Sequence, residues 1–118
     1  MADSKQSSDQ AFQIQLLSKT LDQKRYPFTK LIIERNVTKQ EYEDLFCLLE
    51  QLNDRYQKQK EAGLLDYTSL LIHFAGMLNE KLQPNETIYA LKKEGYFPSL
   101  MDEFIHILKE SQTKIGKC

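Results

Sequence analysis

Three side chains near the C-terminus have the spacing of a metal site. Glu103-x-x-His106-x-x-x-Glu110 places two carboxylates and an imidazole on one helical face, and Glu-x-x-His is the spacing used by di-iron helical bundles. Such centres also need a second Glu-x-x-His and two further carboxylates, and no other glutamate here is followed by histidine at that distance. Glu103, His106 and Glu110 are therefore weak metal candidates, and the plainer reading is a solvated polar face opposite Phe104 and Leu108. His73 could serve as a general base activating Cys47. No glycine-rich turn that would stabilise an oxyanion accompanies the pair, so the plainer reading is a helix-edge histidine bonded to an acceptor and a buried, inert cysteine. The expectation is a protein that is not an enzyme, with no catalytic residue and no cofactor.

These residues must be positioned by helices. No stretch alternates apolar with polar residues between turn formers, so the fold class is all-α, a multihelical subunit built around one long central helix over about 39–62. Thr38-x-x-Glu41 is a capping box that starts it, and Gly63 ends it with a left-handed residue. Tyr42, Leu45, Leu49, Leu52 and Tyr56 alternate at spacings of three and four, aligning one apolar seam. Around Leu45-Phe46-Cys47-Leu48-Leu49 the helix is apolar on every side and is expected to be wrapped. Beyond Asn53 only Tyr56 interrupts the charge, so Leu52 and Tyr56 are the candidate interface residues, where a second chain would cross.

Around that helix the pattern predicts a first amphipathic helix from Ala11, with Phe12, Ile14, Leu16, Leu17 and Leu21 on its stripe, stopping before Pro27. Pro27 opens a short helix bearing Phe28, Leu31, Ile32 and Ile33. Asp66 is expected to cap a helix through about Leu78 with Tyr67, Leu70, Leu71, Phe74 and Met77 on its face. Pro84 and Gly95 bracket the next, and Pro98 opens the last, with Leu100, Met101, Phe104, Ile105 and Leu108 buried. The chain divides into a disordered lead-in (1–10), a single helical domain (11–110) and a frayed tail (111–118).

Sixteen basic against seventeen acidic residues leave a net charge of -1, which gives no global pull towards nucleic acid or an anionic membrane. No apolar run reaches the length of about 18 residues that crosses a bilayer, and MADSKQSSDQ has no signal core. A cytoplasmic location and free Cys47 and Cys118 thiols are expected. The helix-turn-helix reading of Glu86 to Glu110 meets Asp102 and Glu103 at the start of its second helix, where carboxylates would repel phosphates.

Three blocks, YPFTKLIIERNVTKQEYEDLF (26–46), QKEAGLLDYTSLLIHFAGML (59–78) and ETIYALKKEGYFPSLMDEF (86–104), resemble in order and wording the YhaI-like family of small proteins of bacilli and their relatives. The resemblance spans roughly Leu16 to Leu108 and implies an all-helical fold and an intertwined homo-oligomer, a trimer of helical subunits. It brings no reaction, cofactor or catalytic residue. The first functional expectation is therefore a self-associating module that binds itself and another protein. The runner-up is a small nucleic-acid-binding regulator. The weakest is a helical metal or small-ligand site on Glu103, His106 and Glu110.

Overall fold

The structure is a computed structural model that describes residues 12–17, 19 and 24–116, with side chains through Ser111. The expected lead-in (1–10) lies outside the described residues, as do Ala11 and Leu21 of the expected first helix. Residues 12–17 are helical. They are followed by α1 (Pro27–Glu34), α2 (Lys39–Glu61), α3 (Thr68–Met77), α4 (Pro84–Glu94) and α5 (Pro98–Gly116). No strand occurs among the described residues. The expected tail is helical through Gly116, because α5 simply continues.

The helix boundaries follow local chemistry. At the start of α2 the Glu41 backbone N–H donates to Thr38 Oγ1 at 3.1 Å and the Thr38 N–H donates to Glu41 Oε1 at 2.9 Å, which completes the capping box. Proline opens α1, α4 and α5, where a missing N–H costs nothing. In α1 one of the donors that the helix start leaves unpaired, Thr29 N–H, is taken by the Glu94 carboxylate at 3.1 Å, so the end of α4 caps the start of α1. Asp66, just ahead of α3, accepts from Thr68 N–H at 3.0 Å, while the residue flanking that helix is Tyr67.

Three helices end in the same way. Asn36, Gly63 and Gly95 have φ of 54°, 81° and 94°. Each is followed by a backbone bond that reaches back five residues: Val37 to Ile32, Leu64 to Gln59 and Tyr96 to Leu91. That is the Schellman arrangement, and it satisfies carbonyls a helix end would leave unpaired. Glycine enters the left-handed region without steric cost, and asparagine tolerates it better than other residues.

Packing then follows the apolar faces. α1 lies on α4, α4 on α5, α2 on α3 and α3 on α5. Phe28, Leu49, Leu52, Leu70, Phe74, Ile88, Leu91, Leu100, Met101 and Phe104 are almost wholly removed from solvent. Phe28, Tyr42, Phe46 and Tyr96 form a ring cluster with centroid separations of 4.7 to 6.2 Å where α1 and α2 meet the turn after α4. Offset and edge contacts of this kind add to what burial alone contributes.

Among the described residues one buried side-chain polar atom is left over: Thr87 Oγ1 has no hydrogen-bond partner although its side chain is fully enclosed. A lone buried hydroxyl keeps its desolvation cost, and valine has nearly the same shape. Thr87→Val is expected to raise stability by about 1 kcal/mol in denaturant unfolding. A loss would show that the hydroxyl has a partner.

Candidate functional site

Cys47 and His73 are brought together on one surface. They line a groove of about 380 Å³ between α2 and α3, with Leu45, Leu48, Met77 and Leu78 as apolar wall and Glu41 and Asn79 at one end. Cys47 is exposed, which corrects the expectation that α2 is wrapped on all sides at this level. The face that packs is the seam of Leu45, Leu49, Leu52 and Tyr56, joined by Leu48. Cys47 sits on its flank beside exposed Glu43, Asp44 and Glu50. Met77, expected in the core face of α3, is likewise 66% exposed and forms the groove's rim.

His73 is not set up to take a proton from the thiol. Its Nδ1 lies 3.1 Å from Arg55 Nη1, and a guanidinium can only donate, so Nδ1 accepts and the ring proton resides on Nε2. A general base needs its accepting nitrogen turned to the nucleophile. Here that nitrogen faces Arg55.

The Glu41 end of the groove is a polar knot on one carboxylate. Glu41 Oε1 accepts from Lys81 Nζ at 2.7 Å and Oε2 accepts from Asn79 Nδ2 at 2.8 Å, in addition to the capping bond from Thr38 N–H. Lys81 Nζ also donates to the Asn36 carbonyl at 3.0 Å. The Lys81 bond, then the Thr38 bond, hold the Glu41 carboxyl down to about 2 from its ordinary 4.5. Nothing at the sequence level singled out this pairing, since Glu41 and Lys81 lie far apart along the chain. Only the capping half of it was visible.

The other candidate residues do not converge on one site among the described residues. His106 Nε2 meets Glu110 Oε1 at 3.1 Å on the surface, an i,i+4 pair that occupies one another. Glu103 is half-buried, and its charge helps hold the hydroxyls of Tyr56 and Tyr67 above their usual range, where burial is the first cause. Among the described residues no three His, Cys, Asp or Glu side chains converge as metal ligands. In the helix-turn-helix reading, Asp102 at the start of α5 is bonded by Lys92 Nζ at 2.8 Å, so that lysine's charge is spent inside the chain.

Leu52 and Tyr56, the expected intermolecular contact, are 0% and 3% exposed within the single chain. The Tyr56 ring packs edge-on against Tyr67 at 4.9 Å, and Lys60 lies over it at 5.9 Å. The partner that this tyrosine required is the entry to α3, and the correction is physical: α3 folds back over the charged half of α2 and covers its seam.

A second concave surface lies between α1 and α4. A groove of about 410 Å³ is floored by Pro27, Leu31 and Ala90, edged by Tyr89, and flanked by Lys30, Glu34, Glu86 and Lys93. Beside it, Gln15 and Lys19 share a smaller cavity with Ile33 and Glu34, so the helical stretch at 12–17 adjoins α1. Phe12, Ile14 and Leu16 are 59%, 46% and 45% exposed there. Among the described residues, no helix is long and apolar enough to cross a membrane. Residues 4–109 match the family described as protein of unknown function DUF1878, and the chain belongs to that family.

Proposed function

We propose that this chain is a non-enzymatic helical module that assembles with copies of itself and offers the assembled surface to a protein partner. The observation that carries the reading is the helical stretch at 12–17, where Phe12, Ile14 and Leu16 all remain open to solvent beside α1. Large apolar side chains clustered on the outside of a folded chain mark a contact surface. Burying them against another copy removes that surface from water at about 25 cal/mol per Å². Leu64, Leu65 and Ile72, exposed by 59%, 77% and 66%, give a further apolar area for a different protein. The non-enzymatic part takes support from the two histidines, each of which has a ring nitrogen engaged, by Arg55 and by Glu110. A cytoplasmic setting, where thiols stay reduced, suits an exposed Cys47.

Sedimentation velocity of the full chain at micromolar concentration tests the reading. The expected result is a mass of more than one chain, which Phe12→Glu with Leu16→Glu reduces to a single chain while helical circular dichroism is kept. A wild-type protein that sediments as one chain across the concentration range overturns it.

A further inference from the structure

α3 carries no aspartate, glutamate, lysine or arginine from Thr68 to Met77, although only one of its sides is buried. Leu70, Leu71 and Phe74 face the core, while Ile72 and Met77 are each 66% exposed and Ala75 and Gly76 are open as well. A helix that is apolar all round is normally enclosed all round. Gly76 sharpens the point. It is helical, without the positive φ of Gly63 and Gly95, and a Cβ placed on it would meet nothing within 4 Å. Neither the backbone nor packing inside the chain requires glycine there, and glycine weakens a helix relative to alanine. What a bare Cα does permit is close approach by another chain.

The surface beside this face carries one sign of charge. The groove between α2 and α3, with Met77 at its rim, is lined by Glu41 and Asp44 and by no lysine or arginine. Glu43 and Glu50 are exposed on the α2 flank beside Cys47, and neither has an ion pair among the described residues. The cations that reach the lining are committed, Lys81 to Glu41 and Arg55 to His73.

We propose that this groove and the bare face of α3 receive a basic amphipathic helix from a protein partner. Its apolar side lies on Ile72, Met77 and the leucine wall, and its lysines or arginines lie over Glu43, Asp44 and Glu50. The inference rests on the partner-binding half of the proposed function, names that partner's chemistry, and does not depend on how many copies assemble. Laying the apolar face of a helix into a groove is a general mode of recognition. Methionine at the rim suits it, because an unbranched thioether adapts to the side chains it meets. Opposite charge along the flank fixes the orientation and speeds encounter. The α2 wall from Glu41 to Gln51 is about 15 Å long, which takes about three turns of a partner helix.

The test titrates the full-length chain into a fluorescent peptide of about 14 residues, made of leucine and lysine with the leucines three and four apart. The same peptide with glutamate for lysine is the comparison. The lysine peptide is expected to bind with a Kd on the order of 10 μM, and the glutamate peptide not at all. Glu43→Lys with Glu50→Lys should weaken binding at least about tenfold at low salt, and added salt should weaken the wild-type complex. Gly76→Gln should weaken it about tenfold while the unfolding midpoint holds or rises, a combination that damage to the fold would not give. Phe12→Glu with Leu16→Glu should bind the peptide as wild type does. No binding up to about 100 μM, equal binding of the glutamate peptide, or indifference to the Glu43 and Glu50 reversals overturns the inference, and sedimentation still decides self-association separately. Loss of binding in the Phe12 and Leu16 variant places the peptide on residues 12–17, which overturns this groove and keeps a protein partner. An assembly of the chain that Gly76→Gln breaks shows the face covered by another copy, and the inference falls.

Discussion

Leu52→Ala is expected to lower the unfolding free energy by about 3 kcal/mol, with a fall in melting temperature on the order of 10 °C. Leu52 is fully enclosed, and the seam around it is closed by Leu49, Tyr56 and α3, so truncation leaves a cavity the surrounding helices can only partly collapse into. The loss should appear in denaturant or thermal unfolding and leave the mass of the remaining folded protein unchanged. Dissociation of an assembly at an unaltered unfolding midpoint would instead place Leu52 between chains.

The second large effect is expected in acid. The Glu41 carboxyl titrates at about 2 in the folded chain against 4.5 without its partners, so the folded state favours the ionised form. Its contribution is complete above pH 4.5 and is lost as the pH falls from 4.5 through 2. Asp66, held down by its bonds from Thr68, acts in the same direction. Glu41→Gln removes the charge that Lys81 and the helix start require while keeping the shape. The variant is expected to be less stable than wild type at neutral pH and to converge with it near pH 2. Denaturant midpoints measured across that range check the sign, and parallel curves would remove Glu41 as the cause.

What could be read from the chain in advance was whatever a few neighbouring residues decide. Thr38 with Glu41, the prolines at 27, 84 and 98, and the glycines at 63 and 95 each act within one helical turn, and each sits where that local chemistry puts it. The apolar stripes of α4 and α5 were legible too, since burial follows their period at Ile88, Leu91, Leu100, Met101 and Phe104. What could not be read depends on which helix crosses which. Tyr56 looked unsupported on a charged half-helix because its neighbour Tyr67 arrives only when α3 folds back. Cys47 looked enclosed because a run of apolar letters does not say which flank is left outside the seam. The same holds for the groove between α1 and α4. Lys30 and Glu34 are one turn apart in the sequence, yet their alignment with Lys93 and Glu86 exists only once α1 and α4 pack antiparallel.

The bonds of Glu41 to Asn79 and Lys81 and the packing of Tyr56 on Tyr67 fasten α2 and α3 together at both ends of their contact. A helical hairpin held only at its loop opens progressively from its free end. One latched at both ends has no free end from which to fray, so its amides are protected as a unit, and hydrogen exchange in the two helices should share one opening free energy. Releasing the Glu41 latch alone would convert that single opening into a graded one, with protection lost first around Lys39 to Leu45 and Phe74 to Met77.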